Sequence, residues 1–87
     1  MDTDTKQVLR KYAGKAAEEL GIMDWNNDLN LIRIYRNLHI LYGGDSMGMY
    51  KWIQNPNKHL ENKVPANLIV TSKGEMRVLN LLEYYSQ

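Results

Sequence analysis

Apolar residues recur at helical spacing along almost the whole chain. Val8, Leu9, Tyr12, Ala13, Ala16, Ala17 and Leu20 follow one another at three- and four-residue steps, which predicts one helix over Thr5–Leu20. Asp4 or Thr5 would cap its start, and Gly21 would supply the left-handed residue after its end. Residues 22–27 read as a connector. A second helix is expected over Asp28–Leu41, where Leu29, Leu31, Ile32, Ile34, Tyr35, Leu38, Ile40 and Leu41, with Tyr42 beyond, cover much of the circumference. So wide a stripe suits a central helix or one that also packs on a partner, and a homodimer is one such pairing. Gly43-Gly44 ends it, and Asp45 would cap a third helix running to about Gln54.

Asn55-Pro56-Asn57 stops the third helix, since the residue before a proline is driven out of helical geometry and asparagine favours turns. A polar stretch follows from Lys58 to Lys63, interrupted by Leu60. Pro65 suits the first position of a short helix ending at Ile69 or Val70. Ser72 and Glu75 form a capping-box pattern, S-x-x-E, ahead of a last helix that would turn Met76, Val78, Leu79, Leu82 and Tyr85 inward. A strand at Val64 and 68–71 is disfavoured by Pro65. The expected fold is all-α: a small single-domain bundle of about five helices with a polar loop after the third.

Composition narrows the function classes. At 87 residues the chain has room for one core. Eleven Lys+Arg face ten Asp+Glu, spread evenly over the two halves, which argues against a dedicated nucleic-acid binder. A mild basic bias lies between Lys51 and Arg77, with five bases and two acids. With no cysteine, disulfides and thiolate zinc sites are excluded. Asp2 and Asp4 stand where a signal peptide needs base, and the longest wholly aliphatic run is Leu68-Ile69-Val70, so no targeting signal or membrane span is expected and a cytoplasmic location is the default.

Catalytic chemistry finds no foothold. His39 and His59, the only histidines, are 20 residues apart with no carboxylate cluster beside either, so neither a metal site nor a cofactor is expected. His39 reads as a partly buried structural residue on the apolar second helix. No nucleophile elbow, phosphate loop or triad spacing occurs, and the chain does not read as an enzyme. Ala17-x-x-x-Gly21-Ile22 is similar to the first helix and turn of a helix-turn-helix, but Asn27 and Asn30 stand where that motif wants buried aliphatics, and Asp24 and Asp28 would oppose phosphates. On the third helix, Met47, Met49, Tyr50, Trp52 and Ile53 are too many for one face. Core packing accounts for some of them, and a binding surface, where Tyr, Trp and Met are enriched, remains open for the rest.

The second half of the chain resembles the toxin-binding domain of Xre/MbcA/ParS-type antitoxins. The residues that carry the likeness fall in order over about 29–85: Leu41-Tyr42-Gly43-Gly44-Asp45, then Trp52-Ile53, the turn Asn55-Pro56-Asn57 with Leu60 after it, Pro65 with Leu68, and Gly74, Val78 and Leu82 on the last helix. The resemblance implies an antitoxin of a type II toxin–antitoxin module, helical and often dimeric, that neutralises a protein toxin, typically an NAD-consuming RES-domain protein. It implies a toxin interface near Trp52, Asn57, Lys58, Lys63 and Lys73, with Tyr84 and Tyr85 at the tail. On this reading residues 1–28 are a leading helix and connector, a reduced helix-turn-helix, and 29–87 the toxin-binding domain. The family usually has glycines after the loop leucine, where Glu61-Asn62 stand here, and a longer tail than Glu83-Tyr84-Tyr85-Ser86-Gln87. DNA binding by this chain alone is not expected. The competing readings are a DNA-binding operon regulator and a small helical adaptor that binds some protein other than a toxin.

Overall fold

The computed structural model describes residues 3–85, with side chains from Thr5 onward. Five α-helices follow one another: α1 (Thr3–Leu20), α2 (Asp28–Leu41), α3 (Ser46–Gln54), α4 (Pro65–Leu68) and α5 (Ser72–Tyr85). A single 3₁₀ turn, Lys58–Leu60, lies in the loop between α3 and α4. Among the described residues there is no strand, only one isolated antiparallel bridge between Asn57 and Lys63. The all-α expectation holds, and α2 occupies the expected central position, packed against α1, α3 and α5.

The core draws on every helix except α4: Ala13, Ala17 and Leu20 from α1, Leu31, Ile34 and Leu38 from α2, Met49 and Ile53 from α3, and Val78, Leu79 and Leu82 from α5. Ile22 from the connector, Leu60 from the loop and Ile69, just after α4, complete it. The α1 contribution is mostly alanine, and so small a side chain lets the α1 backbone lie close to its neighbours. Burying each large aliphatic side chain contributes on the order of 1.5–3 kcal/mol.

Several helix ends differ from expectation. α1 begins at Thr3, so Thr5 lies inside the helix instead of capping it. The side chain of Asp4, together with Asp2, Ser86 and Gln87, lies outside the described residues. Asp45 stands at the start of α3 without a side-chain capping bond; its carbonyl accepts from the Met49 N–H at 3.0 Å. Val8, Tyr12 and Met76 are exposed, not inward, and His39 is exposed as well, its ring lying over Gly44. From Thr5 to Tyr12 every residue but Leu9 is exposed.

The capping box at the start of α5 does not form. Thr71, not Ser72, caps the helix: its hydroxyl accepts from the Gly74 N–H at 3.1 Å and its carbonyl from the Glu75 N–H at 2.9 Å. This frees the Glu75 side chain to turn inward, where it is fully buried. One carboxylate oxygen accepts from the Asn27 N–H at 3.3 Å, and the other accepts from the Asn30 side-chain amide at 3.3 Å. Asn27 in turn caps α2, its side-chain oxygen accepting from the N–H groups of Leu29 and Asn30. The two asparagines that fit a helix-turn-helix poorly are therefore the contacts that fasten α2 to α5.

Burial pushes the Glu75 carboxyl above its ordinary value, with Asp28 adding to the rise, while the bonds from Asn27 and Asn30 pull the other way. The folded chain thus holds this proton to a higher pH than the unfolded chain does. Its contribution to stability is fully present below the ordinary carboxylate value of 4.5 and is lost as pH rises through the folded value. Urea unfolding across pH 4 to 8 should show this decline. Glu75→Gln, whose amide serves both asparagines once the Asn30 amide turns over, should flatten it. Glu75→Ala strands the Asn27 N–H and should cost about 3 kcal/mol.

Gly74 sits where the first turn of α5 meets the end of α4. A Cβ there would collide with the Leu68 carbonyl, a backbone atom with no freedom to swing aside. Gly74→Ala is expected to lower stability by about 3 kcal/mol, measured as a fall in the urea midpoint at unchanged slope.

Candidate functional site

The last turns of α2, α3 and α5 meet at one end of the bundle. Leu41 and Tyr42 from α2, Trp52 from α3 and Tyr85 from α5 line an open depression there of about 430 Å³. The His59 ring stands edge-on to Tyr85 with centroids 6.0 Å apart, and Tyr84 lies 6.2 Å from Tyr85 on the outer side. Trp52, Tyr42 and Tyr85 are half-buried and pack against the core. Beside them Leu41 is 45% exposed and Tyr84 69% exposed.

Local sequence fixes this arrangement. Gly43 and Gly44 both adopt left-handed backbone angles, φ +60 and +82, which closes α2 abruptly after Tyr42. Gly48 then leaves room for the Tyr42 ring, since a Cβ at that position would stand 2.8 Å from Tyr42 Cδ1. The ring is therefore seated against α3 next to Trp52.

The loop from Asn57 to Lys63 is a closed knot. The Asn57 N–H donates to the Lys63 carbonyl at 3.1 Å, and the Asn57 carbonyl accepts from the N–H groups of Leu60 and Asn62 at 2.9 and 2.8 Å. The Asn57 side chain accepts from the His59 N–H at 2.8 Å. Buried Leu60 pins the knot to the core. Glu61 and Asn62 hold left-handed angles, φ 59 and 62. The loop keeps a glycine-type backbone without glycine. Arg77 donates to the Glu61 carboxylate at 3.4 Å, and Lys63 lies 3.9 Å from the same oxygen.

The seven residues expected at an interface fall into three groups. Trp52, Tyr84 and Tyr85 come together at the aromatic depression. Asn57, Lys58 and Lys63 belong to the knotted loop, where Asn57 organises the backbone, Lys63 neighbours Glu61, and Lys58 is exposed beside His59. Lys73 is apart from both, on the first turn of α5 and about 18 Å along that helix from Tyr85. Leu41, Tyr42 and His59 were not singled out as interface residues. For Leu41 and Tyr42 the available signal was an apolar pair at a glycine-ended helix; for His59, sequence gives no hint of its ring contact.

Among the described residues no group of three or more His, Asp or Glu is placed to hold a metal ion, and no helix is long and apolar enough to cross a membrane.

Left-handed angles in non-glycine residues cost on the order of 1–2 kcal/mol each, least for asparagine. Glu61→Gly removes that strain while losing an exposed ion pair and adding chain entropy, and its melting temperature should stay close to that of the parent. Glu61→Val, β-branched at the same backbone angle, should be destabilised by about 2 kcal/mol in thermal or urea unfolding.

The family model described as the antitoxin Xre/MbcA/ParS C-terminal toxin-binding domain matches residues 37–85. The match contains the aromatic depression and the knotted loop and leaves out α1, the connector and most of α2. No curated protein matches the chain.

Proposed function

Since the chain belongs to the antitoxin Xre/MbcA/ParS C-terminal toxin-binding domain family, we propose that it neutralises a cognate protein toxin by direct binding through the aromatic end of the bundle. The observation that carries this is the gathering of Leu41, Tyr42, Trp52 and Tyr85 on three helices, all inside the matched span. Half-buried aromatics beside exposed aliphatics are the composition of interface hot spots. Lys58 and Lys63 on the adjoining loop are exposed and suit a toxin surface that offers carboxylates.

In this reading the chain acts by occupancy and needs no catalytic group. The toxin is of the RES type, the complex forms in the cytoplasm, and the antitoxin is a homodimer. Residues 29–87 are the toxin-binding unit and residues 1–28 a leading helix and connector. Lys73 lies outside the contact, and Asn57 acts through the shape of the loop.

Co-expression tests the proposal. The product of an adjacent gene, expressed alone, should arrest growth; adding this chain should restore growth, and the two should co-purify. Leu41→Asp and Tyr84→Ala change exposed positions, so each should leave the melting temperature nearly unchanged and weaken toxin binding tenfold or more, by roughly 1.4 kcal/mol or more. If no neighbouring product is toxic, or if none binds this chain, the antitoxin reading fails and the adaptor reading takes its place.

A further inference from the structure

The joint between α2 and α5 has a third member beside Glu75 and the two asparagines. The Asn30 side-chain amide donates to Glu75 Oε1 at 3.3 Å, and the same nitrogen stands 3.8 Å from the sulfur of Met76. A thioether is a weak acceptor, so this second contact adds little as it stands. Glu75 is fully buried, whereas Met76 is 40% exposed. Successive residues of α5 thus offer Asn30 one acceptor sealed from water and one that solutes reach.

We propose that Met76 is a site of reversible oxidation, and that its sulfoxide tightens the α2–α5 joint by accepting a strong hydrogen bond from Asn30. The inference rests on the chain's own packing and holds whether or not the partner at the aromatic end is a toxin.

The chemistry is that of hydrogen peroxide with a thioether. A sulfur lone pair attacks one peroxide oxygen, the O–O bond breaks and an S–O bond forms. The proton on the transferred oxygen passes to the departing hydroxide, which leaves as water. Sulfur gives up two electrons and the peroxide is reduced. A polar oxygen now stands on the sulfur that faced the Asn30 amide.

Three observations favour tightening over the disruption that oxidised methionine brings to apolar cores. The first is location. Disruption follows when a sulfoxide is forced among buried side chains, and the buried residues of α5 are Gly74, Glu75, Val78, Leu79 and Leu82, not Met76. The second is the number of donors. A side-chain amide nitrogen carries two N–H groups. Glu75 engages one, so the other serves the sulfoxide without displacing the carboxylate. The third is preparation. Asn30 lies in the first turn of α2, where its backbone N–H donates to the Asn27 side chain at 3.2 Å. Its amide is already presented to Met76 from a fixed base, and little further ordering opposes the new bond.

Met23 and Met47 are more exposed than Met76 and should oxidise at least as fast. Met23 belongs to the connector and Met47 to the first turn of α3, so a control chain that retains both isolates the effect of Met76.

The parent chain and Met76→Leu, an exposed substitution, are treated with hydrogen peroxide until Met23 is fully converted. Trypsin releases residues 74–77 as a peptide in which Met76 is the sole methionine, so the gain of one oxygen at this site is read by mass. Oxidation should raise the urea midpoint of the parent relative to that of Met76→Leu, by about fivefold in the folding equilibrium constant. A methionine sulfoxide reductase, with a dithiol as reductant, should reverse the rise as the peptide regains its original mass. Asn30→Ala, which removes the donor, should show no rise. The proposal is overturned by a Met76 that stays unoxidised when Met23 is converted. It is overturned equally by an oxidised parent that gains nothing, or loses stability, relative to Met76→Leu, by a rise that outlasts reduction of the sulfoxide, and by one that persists in Asn30→Ala. Should Asn30→Ala fail to fold, the comparison of the parent with Met76→Leu decides alone.

Discussion

The structure turns on one buried carboxylate. Glu75 leaves the first turn of α5, where an acid would normally stay in water, and caps the start of α2 across the core. Beside it the Asn26 N–H donates to the Ile69 carbonyl at 2.8 Å, so the connector is stitched to the α4–α5 junction by backbone as well as side chain. Trp25 adds a bond from its indole N–H to Asp28 at 2.7 Å, which holds the connector against the same helix start. The leading helix and the matched domain are thereby one packed body. A buried carboxylate with no cation against it is an expensive way to make a joint. What it provides is direction: its two acceptor oxygens fit one pairing of helix ends, whereas an apolar contact would tolerate several.

The same economy of fit governs the rest of a small core. α1 contributes alanines, so its hold on the bundle depends on close backbone approach more than on buried area. α4 is four residues long and serves mainly to present Ile69 inward and to seat α5. With so few elements, large apolar residues also remain at the surface, among them Leu41 at the α2–α3–α5 end, Val8 and Tyr12 on α1, and Met23 in the connector.

Much of this was legible in the chain. The bounds of α2 and the end of α3 follow from asparagine, glycine and proline at their termini, signals that act locally. Two kinds of feature were not legible. Thr71 and Ser72 are adjacent hydroxyl residues, each a credible cap, and only the inward turn of Glu75 decides between them. That turn depends on Asn27 and Asn30, more than forty residues away. The exposure of Val8 and Tyr12 was hidden for a different reason: periodicity says that a face is apolar, not what covers it. At the candidate site, Trp52 and Tyr85 were readable as aromatics near the end of a motif, but their meeting with Leu41, Tyr42 and His59 is a product of tertiary packing. Glu61 and Asn62 stand where the sequence gives no glycine, yet both adopt left-handed backbone angles, in a loop held by hydrogen bonds to Asn57.

Gly74 has a bearing on the aromatic end that its position does not suggest. It is the fulcrum of α5: the helix rests there on the Leu68 carbonyl, and Tyr85 is the tip of the arm, about 16 Å away along the axis. A tilt of about 10° at the fulcrum would carry that tip roughly 3 Å, the width of a hydrogen-bond contact. The placement of a contact ring at one end of the molecule is thus set by the absence of a methyl group at the other.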